Sequence, residues 1–355
     1  MADYHFGETV NIKYDRIKEW MSLVYQHFGM PKHVADITAD IQAVADLRGV
    51  YSHGLLRLES YVKGIENGSL DPRAEVEILK DAGALVQMDG HNASGQYTAY
   101  EAMKLAIQRA EKYGTATVTM RGGNHMGTMA YFAQMAAKAG MIGMCYTQGA
   151  GNNIAPTGGT EPLLGNNPIG FAVPACSKPD VVLDMAMSTV AFGKVAMAAV
   201  VGNPIPSNWG FDRLGKPTTD AKACVSLQPM GGYKGYGLTF TTTLMTAVLN
   251  DCPWGREQVS LDYYNDNTPL NIAYTMQVIN VKAMTDIEAF RKRVDAAIDE
   301  MKDSQKSPGV EEILVPGELE ARNYERQMRD GIDYPSELIS KYADMCAAWN
   351  IEPIV

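Results

Sequence analysis

The chain has 355 residues, of which 46% are hydrophobic and 20% charged; at roughly 150 residues per domain this allows two domains and a large core, and it excludes global disorder or a small disulfide scaffold. Its formal charge of -10 has the wrong sign for a surface that neutralises phosphate backbones, which argues against nucleic-acid binding, while a few local cations can still hold a small anion. The first 70 residues read as helices. Val34, Ile37, Ile41 and Val44 keep helical spacing after Pro31 and stop at Gly49; Leu55, Leu58, Val62 and Ile65 repeat the pattern after Ser52.

From about residue 75 the texture turns to short strand-like runs, VEILK and ALVQMD, then a turn-rich HNASGQ and an alanine-rich helix near 97–113. TATVTM follows as a strand, Gly127 to Lys138 as a helix, and IGMCYTQ, NPIGFAVPA and DVVLDMAMS as strands, with a helix after Ser188. The stretch 201–233 is rich in Gly, Pro and turn residues and reads as an ordered excursion. Beyond Lys234 the pattern predicts a helix to about Leu249, the strand NIAYTMQVIN, a helix with Ile287, Phe290, Val294 and Ile298 on one face, and helices near 318–330 and 335–349. Helical texture at both ends predicts one helical domain from residues 1–74 and 236–355, with an α/β domain at 75–235 inserted into it.

Five widely spaced cysteines, Cys145, Cys176, Cys224, Cys252 and Cys346, predict reduced thiols and no clustered metal site. The opening MADYHFGETVNIKYDR has charges where a signal peptide has an apolar run, and no later stretch supplies the ~20 apolar residues of a membrane span. The expectation is a cytoplasmic protein without a membrane partner. The sequons at Asn67 and Asn92 read as turns.

Several familiar chemistries fail on spacing. A conventional dinucleotide fold needs a glycine-rich turn between its first strand and helix; Gly231 to Gly237 is glycine-rich but has neither that spacing nor a preceding apolar strand. Gly210 to Lys216 imitates a phosphate loop, yet Pro217 stands where a hydroxyl must bind Mg²⁺. No Gly-x-Ser-x-Gly elbow occurs, and the six histidines form no close metal motif, so no metal is expected.

Ser52-His53-Gly54-Leu55-Leu56-Arg57 is more informative. With Ser52 as a helix cap, His53 and Arg57 stand one turn apart on one face, where Arg grips a carboxylate through paired hydrogen bonds and His exchanges a proton with the neighbouring oxygen. Tyr61 extends that face one turn further. The same residues also fit a plain helix cap with a solvated arginine and a packed tyrosine. His125, in RGGNHMG between a strand and a helix, is a second candidate proton carrier or a loop histidine bonded to a carbonyl; His5, His27, His33 and His91 have no such context. Gly149 to Asn153 and Gly165 to Pro168 present either backbone donors or simple turns. Lys234 fits a phosphate or carboxylate contact or a solvated lysine, Pro316-Gly317-Glu318 a helix start, and Met185 and Met187 strand core.

Taken in order, ADLRGVYSHGLLRL, GGNHMGTMAYFAQMAAKAGMIGM, GGTEPLLGNNPIGFAVP, LDMAMSTVAFGKV, GGYKGYGL and VPGELE resemble the malate/L-lactate dehydrogenase family of the type without a Rossmann fold, over about residues 12 to 350. That family also holds sulfolactate and ureidoglycolate dehydrogenases, diketogulonate reductase and a cyclic-imine reductase. The resemblance implies a mixed-sheet nucleotide-binding domain inserted in a helical, dimer-forming domain, a homodimer, and hydride transfer between NAD (or NADP) and a 2-oxo or 2-hydroxy acid. It places acid/base chemistry on His53 or His125 and carboxylate binding on Arg57, with Ser52 and Tyr61 beside it. Cofactor contacts are implied at Asp184, Met185, Ala186, Met187, Ser188, Tyr233, Lys234, Gly317 and Glu318. The chain departs from the family at Thr147-Gln148-Gly149, where Thr-Asn-Ser is common, and at Asn166 and Met187, where Thr is common. A reductase of a sugar-derived diketo acid or cyclic imino acid is the alternative within this class, and a nucleotide-binding regulatory protein without turnover the alternative outside it.

Overall fold

The computed structural model describes residues 7–258 and 267–355; His5 lies outside the described residues. Helix α1 (Tyr14–His27) buries Ile17, Trp20, Met21, Val24 and Tyr25, the three-and-four spacing of a single helical face, against α2 (Lys32–Leu47). A link of two short 3₁₀ turns leads into α3 (Leu58–Asn67), which ends at Gly68 with φ 82°, a left-handed value that glycine adopts without a side-chain clash.

The ends of the chain meet. Strand β1 (Thr9–Ile12) pairs antiparallel with a late strand, Ile332–Pro335, and the following helix, Ser336–Trp349, packs its Tyr342 edge-on to Trp20 at 6.0 Å and its Trp349 edge-on to Phe28 at 5.2 Å.

Between them lies a mixed seven-stranded sheet. Its members are β2 (Glu77–Asp81), β3 (Leu85–Asp89), β4 (Thr115–Gly123), β5 (Met141–Thr147), β6 (Ile169–Val173), β7 (Val181–Met185) and, further along the chain, β10 (Ile272–Asn280). The spatial order is β2-β3-β4-β10-β5-β6-β7, with β3 and β4 parallel and every other pair antiparallel. Here the structure departs from the division expected at residue 235. The strand IAYTMQVIN, from the part assigned to the helical domain, is the middle of the sheet, bonded to β4 on one side and β5 on the other. Its burial explains this: Ile272 to Met276 are buried without a break, so both faces are covered there, as a central strand requires. Helices α4 (Gly95–Tyr113) and α5 (Met129–Lys138) pack on the sheet, α4 through Ala99, Ala102, Ala106 and Ala110, whose small side chains let the helix approach closely.

After β7 comes α6 (Phe192–Val201), then the excursion, which pairs β8 (Gly210–Phe211) with β9 (Ser226–Leu227) and has its own small core of Ile154, Leu164, Val190, Val195, Ile205, Ala221 and Leu227. The chain continues through α7 (Tyr233–Thr243), β10, α8 (Ile287–Lys302) and α9 (Glu318–Asp330) to β11 (Ile332–Pro335) and α10 (Ser336–Trp349). All five cysteines are free thiols. Among the described residues no helix is long and apolar enough to cross a membrane.

Candidate active site

His53 and Arg57 do not share one helix, as their spacing suggested. Gly54 divides the link into the turns Tyr51–His53 and Leu55–Arg57, and Arg57 is the residue just before α3. Ser52 caps nothing; its Oγ lies 2.9 Å from His53 Nδ1. The arginine still reaches the histidine, because its Nε donates to the Ser52 carbonyl at 3.0 Å and folds the side chain back over the first turn.

His125 arrives from the loop between β4 and α5. The adjacent Asn124 is buried and its Nδ2 donates to the carbonyls of Asn92 and Ala93, both at 3.0 Å. Gly95, at the start of α4, lies so near this loop that a Cβ there would sit 2.4 Å from the carbonyl oxygens of both Asn124 and His125. Thus held, the His125 ring stacks on His53 with centroids 5.4 Å apart and planes 25° apart. Two residues distant in sequence form one imidazole pair.

Tyr61 is a packed tyrosine, the second of the two placements that its spacing allowed. It is fully buried, and its Oη lies 2.7 Å from His125 Nδ1. The phenol therefore stands behind the histidine pair. Burial pushes the Tyr61 pKa up to about 12, so the hydroxyl keeps its proton at neutral pH.

Burial, with the Arg57 guanidinium as the second cause, pulls the His53 pKa down to about 4; burial, Arg57 and His53 together hold His125 well below its ordinary value. Both rings are neutral at pH 7. Among the described residues Arg57 has no carboxylate within ion-pair distance, so the site is one fixed positive charge beside two neutral imidazoles. No group of three or more His, Cys, Asp or Glu among the described residues is arranged to hold a metal ion.

The segments singled out for a cofactor divide into two kinds. Asp184, near the end of β7, accepts from the Ala130 N–H at 2.9 Å and so caps α5, directly after the His125 loop. Met185 and Ala186 are half-buried, whereas Met187 and Ser188 are buried and tied down: Met187 N donates to the Asn166 carbonyl and its own carbonyl accepts from Met230 N, both at 2.8 Å, and Ser188 Oγ donates to the Val190 carbonyl. Tyr233 and Lys234 are exposed at the start of α7, after Gly231 and Gly232 with φ 63° and 67°. Gly317 precedes α9 with φ 86°, where a Cβ would meet the Val182 carbonyl at 2.6 Å. Glu318 is occupied by Lys302 Nζ at 2.5 Å and by Arg322. The Gly149 and Gly165 segments face each other: Gly149 N donates to Asn167 Oδ1 at 2.8 Å, and Asn167 Nδ2 reaches the Thr239 carbonyl and Thr243 Oγ1 at 2.9 and 2.7 Å. At the departure from the family pattern, Gln148 donates to the Pro253 carbonyl at 2.7 Å and its buried Oε1 has no partner among the described residues.

Spacing analysis missed the residues that hold the site from beneath. Helix α2 buries Thr38, Gln42 and Asp46 completely, a polar stripe at four-residue intervals on an otherwise apolar face. That interval was the available signal.

Residues 12–342 match the family described as malate/L-lactate dehydrogenase. The chain belongs to this family. It is 35% identical to a malate dehydrogenase of Pyrococcus abyssi over 91% of this chain and 90% of that one, and 32% identical to a ureidoglycolate dehydrogenase (NAD(+)) of Escherichia coli K12 over 87% and 88%. In three dimensions it is similar to a malate dehydrogenase of Entamoeba histolytica, with a TM-score of 0.91 and 27% identity over 97% of this chain and 99% of that one. Family membership makes the chain an oxidoreductase acting on hydroxy acids, and the histidine pair with Arg57 is its candidate centre.

Proposed function

We propose that the protein interconverts a 2-oxo acid and a 2-hydroxy acid by hydride transfer with NAD, and that it works as a homodimer. The observation that carries the reading is the half-buried Arg57 cation, without a carboxylate partner among the described residues, beside two neutral histidines. A half-buried positive charge of this kind favours an anion, and a planar guanidinium matches a carboxylate through two parallel hydrogen bonds.

The residues present fit a nicotinamide dinucleotide. Lys234 and the amides of an 11-residue helix behind two glycines suit an anion, and the 184–188 segment joins this region to the His125 loop through Asp184. When bound, the cofactor supplies or accepts the hydride. Arg57 orients the substrate carboxylate. Its charge is then offset, which lifts the restraint it places on both histidine pKa values. With that restraint lifted, a histidine of the pair, His125 in this reading, takes up a proton, gives it to the developing alkoxide and returns to the neutral form; Tyr61 Oη shares a hydrogen bond with His125 Nδ1 and Ser52 Oγ one with His53 Nδ1, which orient the two rings. NAD in preference to NADP rests on the named cofactor of the Escherichia coli relative. The dimer rests on the apolar residues exposed on α6 and α7, among them Phe192, Met197, Val200, Leu238 and Phe240.

The test is the change in cofactor absorbance with NADH and NADPH against oxaloacetate, pyruvate, sulfopyruvate, diketogulonate and a cyclic imino acid, and with NAD against ureidoglycolate, for the wild type and for His125→Ala, His53→Ala and Arg57→Ala. His125→Ala is expected to lose ~10²–10⁴-fold in turnover, the usual share of general acid catalysis, with NADH affinity retained. Arg57→Ala is expected to raise KM for the carboxylate substrate. Silence of the wild type across the panel, or full turnover in both histidine variants, overturns the reading, and turnover on the imino acid alone moves the substrate to a C=N bond.

A further inference from the structure

The link that carries His53 and Arg57 is gripped from below at its centre. Asp46 Oδ2 accepts from the Leu55 N–H and from the Tyr334 hydroxyl, each at 2.8 Å. Gln42 Nε2 donates to the Gly54 carbonyl at 3.0 Å, and the Tyr342 hydroxyl donates to the Leu55 carbonyl at 2.8 Å. Every polar group of the Gly54–Leu55 peptide is thus taken by a buried side chain. The fit is close enough that a Cβ on Gly54 would lie 1.8 Å from Asp46 Oδ1. That oxygen is buried, has no hydrogen-bond partner among the described residues, and rests against the glycine.

Such an arrangement is poor for stability alone. A buried carboxylate with one unpaired oxygen costs more than an apolar residue of the same volume, and the two bonds it makes need only one acceptor. It is well suited to geometry, because one carboxyl oxygen takes both the Leu55 N–H and the Tyr334 hydroxyl, and because the other oxygen leaves space for nothing larger than hydrogen at position 54. Gly54 is the single residue between the histidine's turn and the arginine's turn.

We propose that Asp46 is a positioning residue, which pins the Gly54–Leu55 peptide from α2 and so fixes the separation between His53, at the imidazole pair, and the Arg57 carboxylate clamp. The proposal rests on the reading of that site given above. It acts through the link and touches no substrate.

Four variants test it: Gly54→Ala, Asp46→Ala, Asp46→Asn and the pair Gly54→Ala with Asp46→Ala, each assayed for kcat and KM with the best carboxylate substrate, for NADH affinity by fluorescence titration, and for melting temperature. Displacement of a catalytic group by about 1 Å costs on the order of 10²-fold, and Gly54→Ala is expected to lose that much in kcat/KM, through a raised KM as well as a lowered kcat, with NADH affinity unchanged. In the Asp46→Ala background the same glycine substitution is expected to add almost nothing, since the colliding oxygen is gone. Asp46→Asn, which keeps an acceptor for Leu55 N–H, is expected to retain more activity than Asp46→Ala. Equal losses from Gly54→Ala in both backgrounds, or wild-type KM and kcat in Asp46→Ala, overturn the proposal; so does a loss confined to melting temperature. Should Gly54→Ala not fold, the order of wild type, Asn and Ala at position 46 in KM decides. Arg57→Ala separates the two readings: if it leaves kcat/KM unchanged the site itself is misread, whereas if it abolishes binding while the position 46 and 54 variants behave as wild type, only the positioning role falls.

Discussion

Tyr61 Oη and His125 Nδ1 lie 2.7 Å apart, with the phenol fully buried. Burial pushes the Tyr61 pKa up to about 12, so the hydroxyl keeps its proton at neutral pH and bonds whichever form His125 Nδ1 takes. The bond therefore holds the His125 ring in its orientation.

Tyr61→Phe removes the hydroxyl that bonds His125 Nδ1 and keeps the packing of the ring. The expected outcome is a fall in kcat of up to ~10²-fold, the lower end of what general acid catalysis contributes, with little change in KM. Steady-state kinetics on the carboxylate substrate check this. A rise in KM alone would return Tyr61 to the substrate-binding role that its spacing suggested.

The histidine pair also makes stability depend on pH. His53 titrates near 4 in the folded protein and near its ordinary value of about 6.5 when unfolded, and His125 is depressed in the same direction. Between those values the unfolded chain binds more protons, so the contribution is full above pH ~6.5 and is lost as pH falls toward 4. Urea midpoints measured from pH 7.5 down to 4.5 are expected to fall less steeply in a His53→Gln/His125→Gln variant than in the wild type. Parallel curves for the two proteins would contradict the depressed values.

Asn167 joins three segments near the cofactor region: it accepts from Gly149 N and donates to the Thr239 carbonyl and Thr243 Oγ1. Asn167→Ala leaves at least one buried group without a partner and is expected to cost about 1–3 kcal/mol. A urea midpoint lowered at unchanged m-value would show it. A midpoint within error of wild type would mean that solvent or a neighbour satisfies Gly149 N after the substitution.

Much of the fold was legible because helical and strand periods are local. The faces of α1 and α2 and the alanine side of α4 follow from residue spacing alone. The place of β10 did not. Its sequence says that it is a buried strand, but nothing within Ile272–Asn280 says that it passes between β4 and β5, over 120 residues earlier in the chain, and not into a sheet of its own.

At the site the residue types were legible and their arrangement was not. The matched motifs marked His53, Arg57 and His125 as belonging to the family pattern, and the short link placed His53 near Arg57 without showing that Gly54 breaks the helix between them. The partners of Asp184 and Glu318, both implied as cofactor contacts by the resemblance, were not legible: one caps α5 and the other sits in an ion-pair network with Lys302 and Arg322. Carboxylates find whatever donors the fold brings near, and those donors lie on other elements.

By itself the sequence determined the class of protein, the secondary elements and the side chains able to bind a carboxylate and move a proton, because periodicity, composition and motif are properties of neighbouring residues. Only the tertiary structure decided that His53 stacks on His125, that Tyr61 stands behind them, and that Asp46 holds Gly54. Each of those depends on the packing of α2, α3 and the β4–α5 loop, and a hydrogen bond of about 3 Å leaves no tolerance that a pattern of residues along one chain segment can specify.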